Sequence, residues 1–419
     1  MSFRGTFAAL GEPNYRRYFT GQAVSLAGTW MQAVAQSWLV LQLTHSGTWL
    51  GLVAAAQFLP VMLFAPYGGV LADRVDKRRM LMATQAVYGT LALALGLLTV
   101  TGVVALWMVV VLALLFGLTS AADNPARQAF ASEMVPPHQV RNAVTLNSIL
   151  VNSARAVGPA AAGILIGTVG TGICFLVNAA TYLAVLVALA RMDRSALRPA
   201  PQAVRAPGQL REGLRYVRDT PGLLVPLLML LVVGMLAYEF SVVLPMLVHE
   251  SFAGGPGTYA LIVSAMGAGA VVGGLLTANR AGTGIATLSR AALVFGVAIA
   301  VAAVAPTLAL EVVAIAIVGA ASITFLATGN STLQLESDPR FRGRVMALWS
   351  VAFLGSTPLG GPVVGVVADW AGPRVALGVG AAACIIAAAL GGLAVRRLRP
   401  PRARSTADAM LLGRRPVLR

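Results

Sequence analysis

The chain has 419 residues, 58% of them hydrophobic and 11% charged, where a soluble domain carries about 25% charged residues; with a mean hydropathy of +0.79, a soluble fold is excluded. The formal charge of +16 would suit nucleic acid if the basic residues gathered on one folded face, so their placement along the chain decides that question. Cys174, Cys384, His45, His138 and His249 stand singly, which leaves no metal-ligand cluster, no disulfide framework and no nucleophile beside a base.

Apolar runs of about 20 residues, the length a helix needs to cross a bilayer, recur twelve times in chain order: near 18–43, 48–72, 79–100, 104–124, 142–167, 172–191, 221–248, 257–279, 285–304, 309–334, 344–367 and 373–397. Twelve spans are too many for the first to be a removable signal peptide. With a cytoplasmic N-terminus, 29 of the 31 Lys and Arg residues fall in the N-terminal stretch, the even-to-odd loops, the central linker and the tail, the exceptions being Arg155 and Arg374. That is the positive-inside pattern, so the charge records topology and attraction to anionic lipid, and the nucleic-acid reading is dropped. The expected fold class is all-α, an integral membrane protein of twelve transmembrane helices with both termini cytoplasmic.

In the first span Gln22, Ser25, Thr29, Gln32 and Gln36 recur at steps of three and four and form one polar stripe. Facing lipid, its amides would be unsatisfied, so the stripe faces either a wet cavity or a hydrogen-bonding partner helix. After the second span, "GGVLADRVDKRRML" (68–81) breaks the apolar run with six charged side chains. Gly68 and Gly69 permit close approach of a neighbouring helix. Asp73 can pair with an arginine or sit against a helix N-terminus. In the fifth span Thr145, Ser148, Asn152 and Arg155 make a second stripe. Pro159, after Gly158, removes a backbone hydrogen bond and can kink that helix.

From Arg191 to Thr220 runs the longest polar stretch between spans, with seven arginines. Its Pro-rich first half is expected to be extended, and "QLREGLRYVRD" to form a short amphipathic helix on the membrane surface. Beyond it, Glu239 joins Arg155 as the only charges the pattern places well inside the hydrocarbon, where each costs about 2.5–3.5 kcal/mol on the mildest scale. Arg155 stays protonated and can bind an anionic substrate or hold a carboxylate. Glu239 can exchange a proton if its surroundings change between states; a static ion pair or a place at the outer mouth are the alternatives. The candidate substrate cavity comprises Gln32, Gln36, Gln57, Asn152, Arg155, Glu239 and Trp349. Aromatic and Met residues such as Phe58, Phe64, Met235, Tyr238, Phe240 and Phe353 suit a broad apolar pocket, and equally suit packing or lipid contact.

The two halves are related by an offset of 203 residues: Glu133 answers to Glu336, Pro136 to Pro339, Arg141 to Arg344, Gly158 to Gly361 and Pro159 to Pro362. A shift of 205 lays "GGVLAD" (68–73) on "GGLLTA" (273–278), where the aspartate is lost. Two repeated six-span bundles with a midplane site between them form a transporter architecture. The division expected is a bundle over 1–190, a cytoplasmic linker over 191–220, a bundle over 221–398 and a basic tail over 399–419.

The stretch 68–81 resembles the loop signature of the major facilitator superfamily, in which a glycine is followed four residues later by Asp and then Arg. Gly69, Asp73 and Arg74 match; Asp76 stands where the family usually has a second glycine. Residues 14–44, "NPARQAF" (124–130) and "NSARAVGPAAAG" (152–163) resemble the branch containing enterobactin exporters and macrolide efflux pumps. The resemblance implies a cytoplasmic gate in which Asp73 joins Arg127 and the start of span eleven, with a latch between the halves: Glu133 with Arg141 or Arg344, and Glu336 with Arg344 or Arg141. Ordinary solvated loop charges, whose pairs contribute about 0–1 kcal/mol, are the alternative. Gly158 and Pro159 match a span-five motif associated with antiport, and Gly361 and Pro362 repeat it as a symmetric hinge. Many relatives carry an acid near Thr29, a proton carrier this chain lacks and for which Glu239 can substitute.

The function so implied is export of an amphipathic drug or siderophore-like metabolite in exchange for protons, in a bacterial inner membrane. No cofactor and no obligate protein partner are expected, the proton gradient being the energy source, and no GxxxxGK[ST] loop supports direct ATP drive. A proton-coupled importer and a non-transporting membrane sensor are the rival readings. The absence of a catalytic cluster speaks against an enzyme.

Overall fold

The computed structural model describes residues 7–198, 209–278 and 282–398. Within these, the side chains of residues 66, 73, 152, 209–211, 278, 354 and 398 lie outside the described set. No strand occurs among the described residues; the elements are helices.

The first half comprises α1 (Pro13–Thr44), α2 (Gly47–Arg74), α3 (Lys77–Val100), α4 (Leu106–Glu133), α5 (Val140–Val169) and α6 (Thr171–Ala190). The expected surface helix in the linker is α7 (Gln209–Asp219). The second half comprises α8 (Pro221–Ala237), α9 (Phe240–Met246), α10 (Pro256–Ala278), α11 (Ile285–Ala303), α12 (Leu308–Glu336), α13 (Arg342–Leu354), α14 (Thr357–Ala371) and α15 (Pro373–Leu398). The seventh span is α8 and α9 together, prolonged by a π-turn over Leu247–Ser251, and the eleventh is α13 and α14.

Eleven spans are long and apolar enough to cross a membrane among the described residues. The twelfth is α1, long enough at 32 residues and less apolar because its own polar stripe dilutes it. The amides of that stripe are mostly inside the protein. Gln32 accepts 2.6 Å from Asn178 Nδ2 of α6, Thr29 lies 3.2 Å from the Tyr182 hydroxyl, and Gln22 and Ser25 are buried. Thr29 and Gln32 are therefore glue between α1 and α6, while the Gln22 Nε2 has no hydrogen-bond partner. Gln36 alone reaches α2, 3.5 Å from Gln57.

Glycines set the helix spacing within each half. A Cβ on Gly68 would overlap the Ala121 carbonyl of α4, and one on Gly273, its repeat partner, would overlap the Ala320 carbonyl of α12. Gly68 thus serves permanent packing inside its own bundle. Large buried side chains such as Phe130, Phe175, Phe295 and Phe325 fill the two cores. Asp76 caps α3, accepting 3.1 Å from the Arg79 N–H, so the residue that replaces the family glycine starts a helix. Arg78 donates to the last carbonyls of α6, Leu189 at 2.6 Å and Ala190 at 3.1 Å, as a cation at a helix C-terminus should.

Candidate functional site

The halves meet along two seams on the side of the molecule away from the termini. In one, α2 lies on α14: a Cβ on Gly51 would overlap the Gly361 carbonyl, and one on Gly365 the Gly47 carbonyl. In the other, α5 lies on α10, with Gly163 against Ala260 and Gly267 against the Arg155 carbonyl and Ala156. Small residues allow backbone to touch backbone, the closest packing two helices can reach. The end of the first seam is tied by Asp369 of α14, whose carboxylate accepts from Ser46 Oγ (2.7 Å), Gly47 N (2.5 Å), Thr48 N (2.9 Å) and Thr48 Oγ1 (2.6 Å). One half thereby supplies the anion that caps the N-terminus of a helix in the other half, satisfying donors that α2 cannot satisfy itself. His45 and His249, 5.7 Å apart between ring centroids, lie beside it across the same boundary.

Toward the termini the helices part. On α5 below the Gly267 contact, Thr145, Asn147 and Ser148 are exposed, and on α2 the exposed residues include Leu63, Phe64 and Tyr67. Thr145 and Ser148 return their hydroxyls to the Arg141 and Val144 carbonyls, whereas an exposed amide such as Asn147 needs water and so belongs to a water-filled opening. The cleft opens toward the face that carries 74–79, 133–141 and 336–344.

Near the apex of that cleft both broken spans of the second half interrupt their helices. The seventh breaks at Tyr238 and Glu239. The eleventh breaks at Gly355 and Ser356, just ahead of Pro358, which suits a first helical turn and resists continuation of the preceding helix. The breaks face one another: Gly234 lies against Ser356 Oγ, and Gly360 against the Met235 carbonyl. Discontinuous helices near the midplane are where transporters place their ion and substrate sites. The proline hinges expected at Pro159 and Pro362 lie inside continuous helices, α5 and α14. Gly158 packs on Ala27 and Trp30 of its own half while Gly361 packs on Gly51 of the other, so repeat-related positions have different partners in this conformation.

Glu239 occupies the break itself, with φ −82° and ψ 39°. It is 3% exposed, its Oε1 has no hydrogen-bond partner, and it turns toward Thr357 and Gly360 at the N-terminus of α14. Arg155 does not pair with it. The guanidinium lies 4.8 Å above the Trp30 ring, its buried Nε is unpartnered, and Tyr238 is its electrostatic neighbour from the second half. The Tyr238 hydroxyl donates to the Ser322 carbonyl at 2.7 Å, and ring contacts run from Tyr238 to Phe353 (5.0 Å) and on to Trp349 (5.8 Å), whose Nε1 is also buried and unpartnered. Asn152, on the Arg155 face of α5, has its side chain outside the described set.

At the termini face, the charge pairs among the described residues stay within one half or tie the second half to the linker helix. Lys77 meets Glu133 at 2.7 Å, Arg344 meets Glu212 of α7 at 2.7 Å, and Glu336 lies against Gly222 and Gly284. The cross-half partners expected for Glu133 and Glu336 are not engaged in this open conformation, and Arg141 and Arg74 are exposed. The backbone of residue 73 ends α2 beside Arg74 and Gly69; the Asp73 side chain lies outside the described set. Arg127 has a different partner, Asp123, a fully buried carboxylate that also accepts from Thr84 Oγ1 (2.6 Å) and Gln85 Nε2 (3.1 Å).

Asp123 and Glu311 are two further acids buried inside the helical bundles. Glu311, fully buried in the first turn of α12, has both carboxylate oxygens without a hydrogen-bond partner and Arg374 as its electrostatic neighbour. Arg374 in turn donates to the Ala303 carbonyl at 3.0 Å and lies 5.4 Å over Phe252. Both acids stand near span ends in the sequence, where a carboxylate does not stand out from the neighbouring loop. The spacing of Asp123 and Arg127, four apart on one helix, was the available signal. Asp369 carried none, because its partners are more than 300 residues away.

Two pseudo-symmetric six-helix bundles, pressed together at one face and parted at the other around a buried carboxylate and a guanidinium, define a transporter of the major facilitator type. The match of residues 4–410 to the transmembrane secretion effector model places the chain in that family. It is 30% identical to the multidrug efflux pump Tap of Mycolicibacterium fortuitum over 83% of this chain and 87% of the relative. It is 29% identical to the staphyloferrin A transporter of Staphylococcus aureus over 41% of this chain, a match spanning less than half (44%) of that relative. Among solved structures, a bacterial homolog of the human lysosomal transporter Spinster, inward-facing and unoccupied, superposes with a TM-score of 0.74 at 14% identity, covering 96% of this chain and 100% of that one. At that identity the likeness concerns the fold alone.

Proposed function

We propose that this protein is a proton-coupled exporter, an antiporter that moves amphipathic drugs or siderophore-like metabolites by alternating access, and not an enzyme. It sits in a bacterial inner membrane with both termini in the cytoplasm, so the open face described above is the inward one. The arginine-rich segments ringing that face support this orientation. The names of the efflux and siderophore relatives support the substrate range and the outward direction.

The observation that carries proton coupling is Glu239: a carboxyl group enclosed at a helix break, against the glycines of a seam that must part when the outer face opens. In the enclosed state Glu239 has no cation within ion-pair distance and one carboxylate oxygen without a hydrogen-bond partner among the described residues. Opening α14 away from α2 hydrates the site and lets the proton leave or enter from the other side. A proton on Glu239 and a substrate in the cleft can then be carried in opposite halves of the cycle, which is the requirement for exchange.

Inverted vesicles energised to an acid interior test this. Erythromycin, ethidium and a hydroxycarboxylate siderophore are added singly, and proton release from the lumen is recorded for the wild type and Glu239→Gln. Substrate-dependent release that disappears in the variant is the expected outcome. A labelled substrate that still crosses without moving protons would overturn antiport.

A further inference from the structure

Among the described residues, one guanidinium where the two halves meet has no anionic partner. Arg155 is the sixteenth residue of the 30-residue α5, which puts its Cα close to the membrane midplane at 1.5 Å of rise per residue. The other inward-facing or buried arginines of the described spans have oxygen partners: Arg78 two carbonyls, Arg127 the Asp123 carboxylate, Arg344 the Glu212 carboxylate, Arg374 a carbonyl. Arg155 has the face of Trp30 at 4.8 Å, and no carboxylate within ion-pair distance or hydrogen-bond acceptor among the described residues. Glu239, next in sequence to its neighbour Tyr238, turns away to α14. A guanidinium over an indole keeps its N–H groups for an anion, and because Nε is enclosed here, a carboxylate reaches it through two parallel hydrogen bonds only when the halves move apart at this point. From Tyr238 the opposite wall continues as an aromatic series, Phe353 and Trp349, ending in a second unpartnered buried donor, the Trp349 indole N–H.

We propose that the central cavity recognises a carboxylate-bearing amphiphile, with Arg155 on Trp30 as the anion site and Tyr238, Phe353 and Trp349 as the wall for its apolar or aromatic body. This rests on the exporter reading and narrows its substrate class. The ligand supplies the negative charge that the protein withholds, so the site is electrostatically complete only when loaded. Because Arg155 belongs to one half and Tyr238 to the other, a bound anion bridges the two bundles and links occupancy to their movement. Cations of similar size meet the guanidinium unshielded and are disfavoured.

The test uses the full-length protein in nanodiscs, without a gradient, titrated with carboxyfluorescein and with ethidium by fluorescence anisotropy. Wild-type protein is expected to bind carboxyfluorescein at least tenfold more tightly than ethidium. Arg155→Gln should weaken carboxyfluorescein at least tenfold and leave ethidium unchanged or improved. Arg155→Lys, which keeps the charge and loses the planar fork, should fall between. A carboxyfluorescein affinity in Arg155→Gln within twofold of wild type overturns the proposal. So does a wild-type preference for ethidium, or failure of wild type to bind the anion. Should Arg155→Gln not fold, the wild-type comparison and the Lys variant decide. No proton moves in this assay, so carboxyfluorescein binding without proton release in vesicles would sink antiport and leave the anion site standing.

Discussion

Replacing Asp369 by Asn should loosen the outer face. The carboxylate accepts four hydrogen bonds of 2.5–2.9 Å from Ser46, Gly47 and Thr48 across the boundary between the halves. A carboxamide keeps one accepting oxygen and turns an NH2 toward donors. The two hydroxyls can rotate to accept from it, but one backbone N–H loses its partner and the remaining bonds lose charge assistance. A bond to a charged group is worth about 1.5–3 kcal/mol against about 0.5–1.5 for a neutral one. Discounted for the exposure of this site, the change sums to about 2 kcal/mol, or a 30-fold shift in the ratio of open to closed outer face. Spin labels at Val103 and Val304, exposed loop positions on the two halves at 59% and 74%, would be introduced after replacing Cys174 and Cys384. Electron–electron distance distributions then report that ratio directly. A distribution in Asp369→Asn that matches the wild type would refute the latch, whereas partial recovery in Asp369→Glu would show that charge and not only shape holds it.

Other changes follow from the same geometry. Gly51→Val places a branched side chain where the Gly361 carbonyl lies, so the outer seam should fail to close: the same label pair moves apart and transport stops while the protein still folds. Asp123→Asn strands Arg127 beside Thr84 and Gln85; breaking one side of a buried pair costs about 3–5 kcal/mol, seen as a lowered thermal unfolding midpoint. The double change Asp123→Asn with Arg127→Gln should recover part of that loss. Arg155→Gln should raise the unfolding midpoint of the ligand-free protein, since removing a midplane charge relieves about 2.5–3.5 kcal/mol and forfeits a cation–π contact of about 0.5–2 kcal/mol. An unchanged or lower midpoint would mean that Arg155 has a stabilising partner.

Much of this architecture is legible in hydropathy, because a bilayer imposes one length and one composition on every span and gathers arginine on one side. The linker helix α7 was legible for the same reason, its charged and apolar residues alternating at helical spacing. Side-chain partners were harder to read. The stripe on α1 is polar whether Gln32 meets Asn178 or a substrate, and only the rotation of α6 decides. Pro159 and Pro362 announce themselves in the sequence and lie inside continuous helices, whereas the interruption at Tyr238 and Glu239 carries no such signal and that at Ser356 shows only through Pro358. The role of Asp369 depends on a helix start more than 300 residues away in the chain.

The glycine seam between α2 and α14 also bears on leakage. Contact of backbone on backbone is held by dispersion, and a radial gap of 0.5–1 Å already forfeits a quarter to a half of that attraction. Such a surface offers little intermediate foothold: at Gly51 and Gly361 backbone meets backbone, and once the Asp369 cap lets go little keeps touching while the halves separate. The outer face is therefore either sealed or fully released, and partly ajar arrangements that would let protons run down their gradient unaccompanied have little to stabilise them.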